Sequence, residues 1–184
     1  MTANDKIKEA EYNLDKLKGS NSDQDFSHIL SNFLSSSHSI LEHLLEDYNK
    51  KFGFNLEYVT TKNFRDKANE MKNTDAIKFI NWYIDERIKL RNEKSYGFLV
   101  ARRNFSVHKD TVKPENNIRL EIGLTPIWKD TTTGEITTGD RMPQVRTWQF
   151  FSENTDEDVI TVCEKFLEHI KRIVNDVIKN LNNR

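Results

Sequence analysis

The residues best suited to chemistry in this 184-residue chain lie in Leu99–Asp110, LVARRNFSVHKD, where Arg102, Arg103, His108 and Lys109 fall within eight positions. An imidazole titrating near neutrality can take a proton from a ribose 2′-hydroxyl or return one to a leaving 5′-oxygen. A permanently charged guanidinium can stabilise the crowded phosphorane between those events, and neither step calls for a metal or a cofactor. On a helix, Asn104 and His108 fall one turn apart on one face, while Arg103 lies about 140° round the axis from His108. A long Arg side chain swings back toward that face where the helix ends nearby, so Arg103, Asn104 and His108 can converge on one anion. Arg102 and Lys109 point elsewhere, toward a flanking phosphate or toward solvent.

The charge around this stretch is uneven. The chain carries a net charge of -1 with 31% charged residues, which excludes a wholesale basic nucleic-acid binder and an acidic disordered tail. Within Asp75–Lys113, however, nine Lys and Arg stand against five Asp and Glu, a local +4. That excess can steer phosphates; a solvated charged helix face gives the same count and is the commoner origin of a charge run.

Low glycine and proline, six and three residues, favour helices to carry these groups. Ile7, Ala10, Leu14 and Leu17 recur at helical spacing over Thr2–Lys18, stopped at Gly19. Ser22 with Asp25 resembles a capping box that opens a second helix, whose stripe of Phe26, Leu30, Phe33, Leu41, Leu44 and Tyr48 runs to about Lys51 before Gly53. The serine run LSSSHSI predicts a weak or bent turn within it. A shorter helix spans Thr61 to about Lys72 with Phe64, Ala68 and Met71 inward. Thr74 then opens a long pattern of Ile77, Ile80, Ile84 and Ile88, continuing through Phe98, Leu99 and Phe105, with a bend at Gly97. From Asn117 the period becomes two, with Ile118, Leu120, Ile122 and Leu124 alternating with polar residues or glycine. A partner strand follows at Gln144–Phe151, with a small third strand at Glu135–Thr138. Thr155 with Asp158 caps a final helix whose stripe of Val159, Cys163, Phe166, Ile170, Ile173, Val177 and Leu181 is the clearest in the chain. The fold class is mainly α: one domain over 1–184, an antiparallel helical bundle with a β-hairpin inserted at about 117–151 before the long C-terminal helix.

Against this frame, Arg103-Asn104-Phe105-Ser106-Val107-His108 resembles the R-x4-6-H signature of the HEPN superfamily, in its form with a polar residue directly after the Arg. The resemblance implies a compact helical bundle acting as a metal-independent endoribonuclease that leaves 2′,3′-cyclic phosphate ends. It implies a homodimer in which two copies of the motif face each other across a shared cleft, so that one chain's Arg and the other's His complete a site. Arg103 and His108 then carry over as the catalytic pair and Asn104 as the supporting polar residue, with Arg102 and Lys109 as RNA contacts. Toxins of toxin–antitoxin pairs and antiphage-defence proteins occur in the superfamily, so an antitoxin or regulatory protein is an expected partner. The insertion before the last helix departs from the simplest family pattern. The alternative is a non-catalytic HEPN-like interaction or regulatory module, with Arg103 and His108 making structural contacts inside the bundle.

Other groups read more simply as structure. His38 and His43, beside Glu42 and Glu46, lack HExxH spacing and fit a helix face better than a metal site. Cys163 belongs to the apolar stripe, and His169, six positions on, lies on another face, so a small core residue suits it better than a nucleophile. No Gly-rich phosphate loop occurs. Trp128, Trp148, Phe150 and Phe151 near Arg141 and Arg146 could stack bases, although aromatics on a hairpin more often cover a core or dimer seam. One cysteine, no membrane-length apolar run of ~18 residues and a polar N-terminus fit a cytoplasmic protein with no membrane partner.

Overall fold

A computed structural model describes residues 1–20, 22–97, 99–100 and 157–182, together with four three-residue strands between them. The described part is mainly helical, in the order α1 (Ala3–Lys18), α2 (Asp23–Lys51), α3 (Thr61–Glu70), α4 (Thr74–Asn92) and α5 (Val159–Asn182).

Local side chains set these boundaries. The Thr2 hydroxyl accepts from Asp5 N at 3.3 Å while Asp5 accepts from Thr2 N at 2.8 Å, a reciprocal cap that satisfies free amides at the start of α1. Ser22 accepts from Asp25 N at 3.1 Å and donates to the Asp25 carboxylate at 2.7 Å, so α2 starts on a one-way cap. The serine run does not interrupt α2. Ser36 donates to Asn32 O at 2.9 Å, Ser37 to Leu34 O at 3.2 Å and Ser39 to Ser35 O at 2.9 Å, so the hydroxyls bond back onto the helix's own carbonyls. Gly53, with φ of 69°, turns the chain out of α2, and Asn49 then clamps the loop through both backbone groups of Leu56, at 3.2 and 3.3 Å.

Two apolar assignments are corrected. α3 ends at Glu70, Met71 occupies the C-cap and is 51% exposed, and Lys72 turns away at φ of 50°. In α4 the buried set is Ala76, Phe79, Ile80, Tyr83 and Leu90; Ile77 and Ile84 are half-buried and Ile88 is 52% exposed. The helix is rotated toward its aromatic residues. Phe79 stacks on Tyr48 with centroids 4.2 Å apart and touches Phe52 and Phe64, and burying one such ring is worth roughly 1.5–3 kcal/mol. Tyr83 donates to Leu41 O at 2.9 Å, and burial pushes its hydroxyl pKa up to about 12.

Cross-helix contacts fix the directions. Ala3 N reaches the Asp47 carboxylate at 2.9 Å and Asn13 reaches Ser36 at 3.2 Å, so α1 and α2 run antiparallel. Lys18 pairs with Glu164 at 2.8 Å and Glu11 with Lys171 at 3.0 Å, so α5 runs antiparallel to α1. α5 buries Val159, Cys163, Phe166, Ile170, Ile173 and Val177 in this core, as its periodicity predicts, and Leu181 lies outside the residues whose side chains are described. The Asp158 carboxylate caps it by accepting from Ile160 N at 2.9 Å, whereas Thr155 lies outside the described residues.

Between α4 and α5, β1 (Glu115–Asn117) pairs antiparallel with β4 (Thr147–Gln149), and β2 (Ile127–Lys129) with β3 (Ile136–Thr138). These short pairs do not establish the single hairpin expected over 117–151, whose alternating residues Ile118–Leu124 lie outside the described residues.

The buried Phe64 ring lies among Phe52, Phe54 and Phe79, so Phe64→Ala is expected to lower unfolding free energy by about 3–5 kcal/mol in urea melts. Tyr58→Ala, at a 77% exposed ring, should change it by less than about 0.5 kcal/mol. A Cβ at Gly97 would lie 2.2 Å from Arg91 O, against 3.8 Å for the nearest atom at Gly19. Gly97→Ala should therefore reduce the melting temperature well beyond the effect of Gly19→Ala.

Candidate functional site

The segment that leads into the Arg-Asn-His motif is built by a break in the helix pattern. α4 stops at Asn92 because Glu93 adopts an extended backbone with ψ of 121°. Gly97 N then donates to Glu93 O at 2.7 Å, and Leu99 N and Val100 N donate to Tyr96 O and Gly97 O at 2.9 and 3.1 Å, starting a new helical turn at 99–100. The long bent helix expected through Phe105 is thus interrupted, and Gly97 sits where the backbone passes too close to itself for any side chain.

This turn is anchored on two helices. Leu99 is fully buried, and its carbonyl accepts from His38 Nε2 of α2 at 3.4 Å. The His38 ring packs on Phe166 of α5 at 5.4 Å, and Tyr96 packs on the same phenylalanine at 6.0 Å. The chain therefore reaches Val100 with its path fixed. Arg102, Arg103, Asn104, His108 and Lys109 all follow it and lie outside the described residues, as do the side chains of Trp128, Trp148, Phe150, Phe151, Arg141 and Arg146.

The described residues do assemble a polar site beside that anchor. The Tyr96 hydroxyl lies 2.6 Å from His169 Nδ1, with the rings edge to face. The phenol is the stronger acid of the two and donates, which leaves the proton of the neutral imidazole on Nε2. Nε2 is shielded from solvent and has no hydrogen-bond partner among the described residues. Burial lowers the His169 pKa from its ordinary 6.5, aided by Arg172 and Lys89 and opposed by Glu86 and Glu93. Burial, followed by Glu93, raises that of Tyr96. Both members of the pair are accordingly neutral near pH 7.

A cleft of about 710 Å³ opens beside the pair, lined by Tyr96 and by Lys165, Glu168, His169, Lys171, Arg172, Asn175 and Asp176 of α5. Positions 165, 169, 172 and 176 repeat with the period of the α5 core stripe, displaced by one residue, so one helix supplies both a core face and the wall of the cleft. Lys165 is paired with Glu157 and Lys171 with Glu11 and Glu168, whereas Arg172 forms no ion pair among the described residues. Sequence reasoning noticed His169 only for its distance from Cys163 and passed over Tyr96 and Arg172. The displaced polar stripe was a usable signal; the partner 73 residues away was not.

The remaining candidates read as structure. Cys163 is fully buried and its thiol is pushed well above its ordinary range by that burial, so it stays protonated in the core. His43 Nδ1 contacts Ser39 O at 2.9 Å within α2. Among the described residues no group of three or more His, Cys, Asp or Glu could hold a metal ion, and no helix is long and apolar enough to cross a membrane.

No protein-family model matches the chain, nor does any curated protein or solved structure. Its own residues must carry any functional assignment.

Because folding lowers the His169 pKa, the folded state favours the neutral ring. That contribution is whole above pH 6.5 and is lost as pH falls through 6.5 toward the lowered folded value. The stability difference between the natural chain and His169→Asn should therefore shrink between pH 7.5 and 5, read from urea melts at each pH. A gap independent of pH would contradict the assignment.

Proposed function

We propose that the chain is a metal-independent endoribonuclease of the HEPN type, acting as a homodimer in a toxin–antitoxin or antiphage-defence setting in the cytoplasm. Arg103 stabilises the transition-state phosphorane, His108 transfers protons to and from the ribose oxygens, Asn104 orients the imidazole or the phosphate, and Arg102 and Lys109 hold flanking phosphates. The insertion at 117–151 is proposed as a β-hairpin ahead of α5. The observation that carries this reading is the R-N-x3-H spacing at Arg103–His108, set in a stretch of local +4 charge. Support comes from the anchored turn before it: Leu99, only four residues ahead of Arg103, is buried and its carbonyl is held by His38 of α2. Catalytic groups gain most from a rigid approach, because misplacement by about 1 Å can cost roughly 100-fold in rate.

A specific observation favours the second reading, a non-catalytic interaction or regulatory module. Ile88 of α4 is 52% exposed, on the same helix face as Ile77 and Ile84, which pack partly against the core, so the edge of that face offers apolar surface that a partner could cover.

RNA incubated with the full chain and excess chelator is expected to yield 2′,3′-cyclic phosphate ends. His108→Ala and Arg103→Ala should each reduce cleavage by about 10²–10⁴-fold with thermal melts unchanged. Cleavage that survives both substitutions, or none by the natural chain across a broad RNA panel, would favour the interaction module, as would variants whose melts collapse.

A further inference from the structure

The cleft over the Tyr96–His169 pair is lined by Arg172, which forms no ion pair among the described residues. We propose that this cleft is a binding site for a phosphate group, held by the Arg172 guanidinium and the Asn175 amide against the phenol-buttressed His169 ring. Three observations converge on it. The cavity, about 710 Å³, falls within the size of small-molecule sites and leaves room for the group that carries the phosphate. Arg172 stands one turn from His169 on the same helix face, and its planar fork, unpaired among the described residues, suits an oxyanion better than the neighbouring lysines, which already hold carboxylates. His169 is fixed from behind by Tyr96, so the ring cannot swing away when a ligand arrives.

Burial is the largest influence that disfavours the imidazolium; Arg172 and Lys89 add to it, while Glu86 of α4 and Glu93 of the turn after it oppose it, and Tyr96 holds Nδ1. A phosphate against Arg172 would offset the guanidinium and add an opposite charge beside the ring, so His169 takes up a proton at Nδ1 as the anion binds and the Tyr96 hydroxyl turns to accept from it. Asp176 and Glu168, the two carboxylates of the lining, would each repel a phosphate placed close to them; Glu168 is offset by Lys171 at 3.3 Å, so the anion is placed between His169 and Arg172. Asp176 is then left to accept from a hydroxyl of the attached group. The phosphate could belong to a nucleic-acid backbone or to a small phosphorylated compound, since both present the same oxyanion.

Proton–carbon NMR of the full chain reads this directly by following the His169 ring during titration with inorganic phosphate and with a 2′-O-methyl oligoribonucleotide, which cannot be cleaved at its backbone. Saturable binding should raise the His169 pKa, and Arg172→Gln should weaken that binding by at least about tenfold. An oligonucleotide that binds more tightly than phosphate identifies the source as nucleic acid; equal or weaker binding identifies a small phosphorylated compound. A His169 signal indifferent to both ligands, or a response unchanged in Arg172→Gln, would overturn the proposal. Neither readout involves cleavage, so the outcome is independent of whether Arg103 and His108 form a nuclease.

Discussion

The burial of Phe166 in the first half of α5 is the contact on which the rest of this molecule depends. Its ring is fully enclosed, with His38 of α2 on it at 5.4 Å and Tyr96 of the α4–α5 connection at 6.0 Å. One phenylalanine thereby joins the longest helix pair to the turn that precedes the Arg-Asn-His stretch. Such a side chain contributes through excluded water and dense contact, which are not directional. The direction comes from the two polar bonds at its rim, His38 to Leu99 O and Tyr96 to His169.

The same economy explains why the candidate cleft is where it is. A helix of 24 residues packing on one side has a wide polar remainder, and α5 devotes the row next to its core stripe to Lys165, His169, Arg172 and Asp176. Along α1 its charges are cancelled pairwise, by Lys18 with Glu164 and Glu11 with Lys171. Exposed pairs of this kind contribute little stability, about 0–1 kcal/mol each, but they fix which cations are occupied. Arg172 lies beyond that seam, next to a histidine that burial and neighbouring cations keep neutral.

How far sequence reaches depends on whether the signal is periodic. The stripes of α1, α2 and α5, the cap at Thr2, the stop at Gly19 and the core place of Cys163 could all be read, because each rests on residues within one or two turns. In α4 the isoleucines and the aromatics offer two competing faces that share only part of the core, including Ile80. Ring stacking of Phe79 on Tyr48 and the bond from Tyr83 to Leu41 selected the aromatic one, leaving Ile88 exposed. The break at Glu93–Gly97 looks in sequence like a bend, since a glycine in a helical pattern does not reveal that backbone from Arg91 and Glu93 will close over it. Arg103, Asn104 and His108 could be singled out by spacing alone; Tyr96 and His169 could not.

By itself, then, the sequence determined the helices, their buried faces and the chemistry available in each segment, because helix formation, capping and amphipathic burial follow from neighbours three or four positions apart. Only the tertiary structure decided which face α4 turns inward, where its helix breaks, and that a tyrosine and a histidine 73 residues apart form a hydrogen bond beside an arginine that has no ion pair among the described residues. Those outcomes depend on packing between distant segments. A hydrogen bond of 2.6 Å exists only once two separate elements have been pressed against the same phenylalanine.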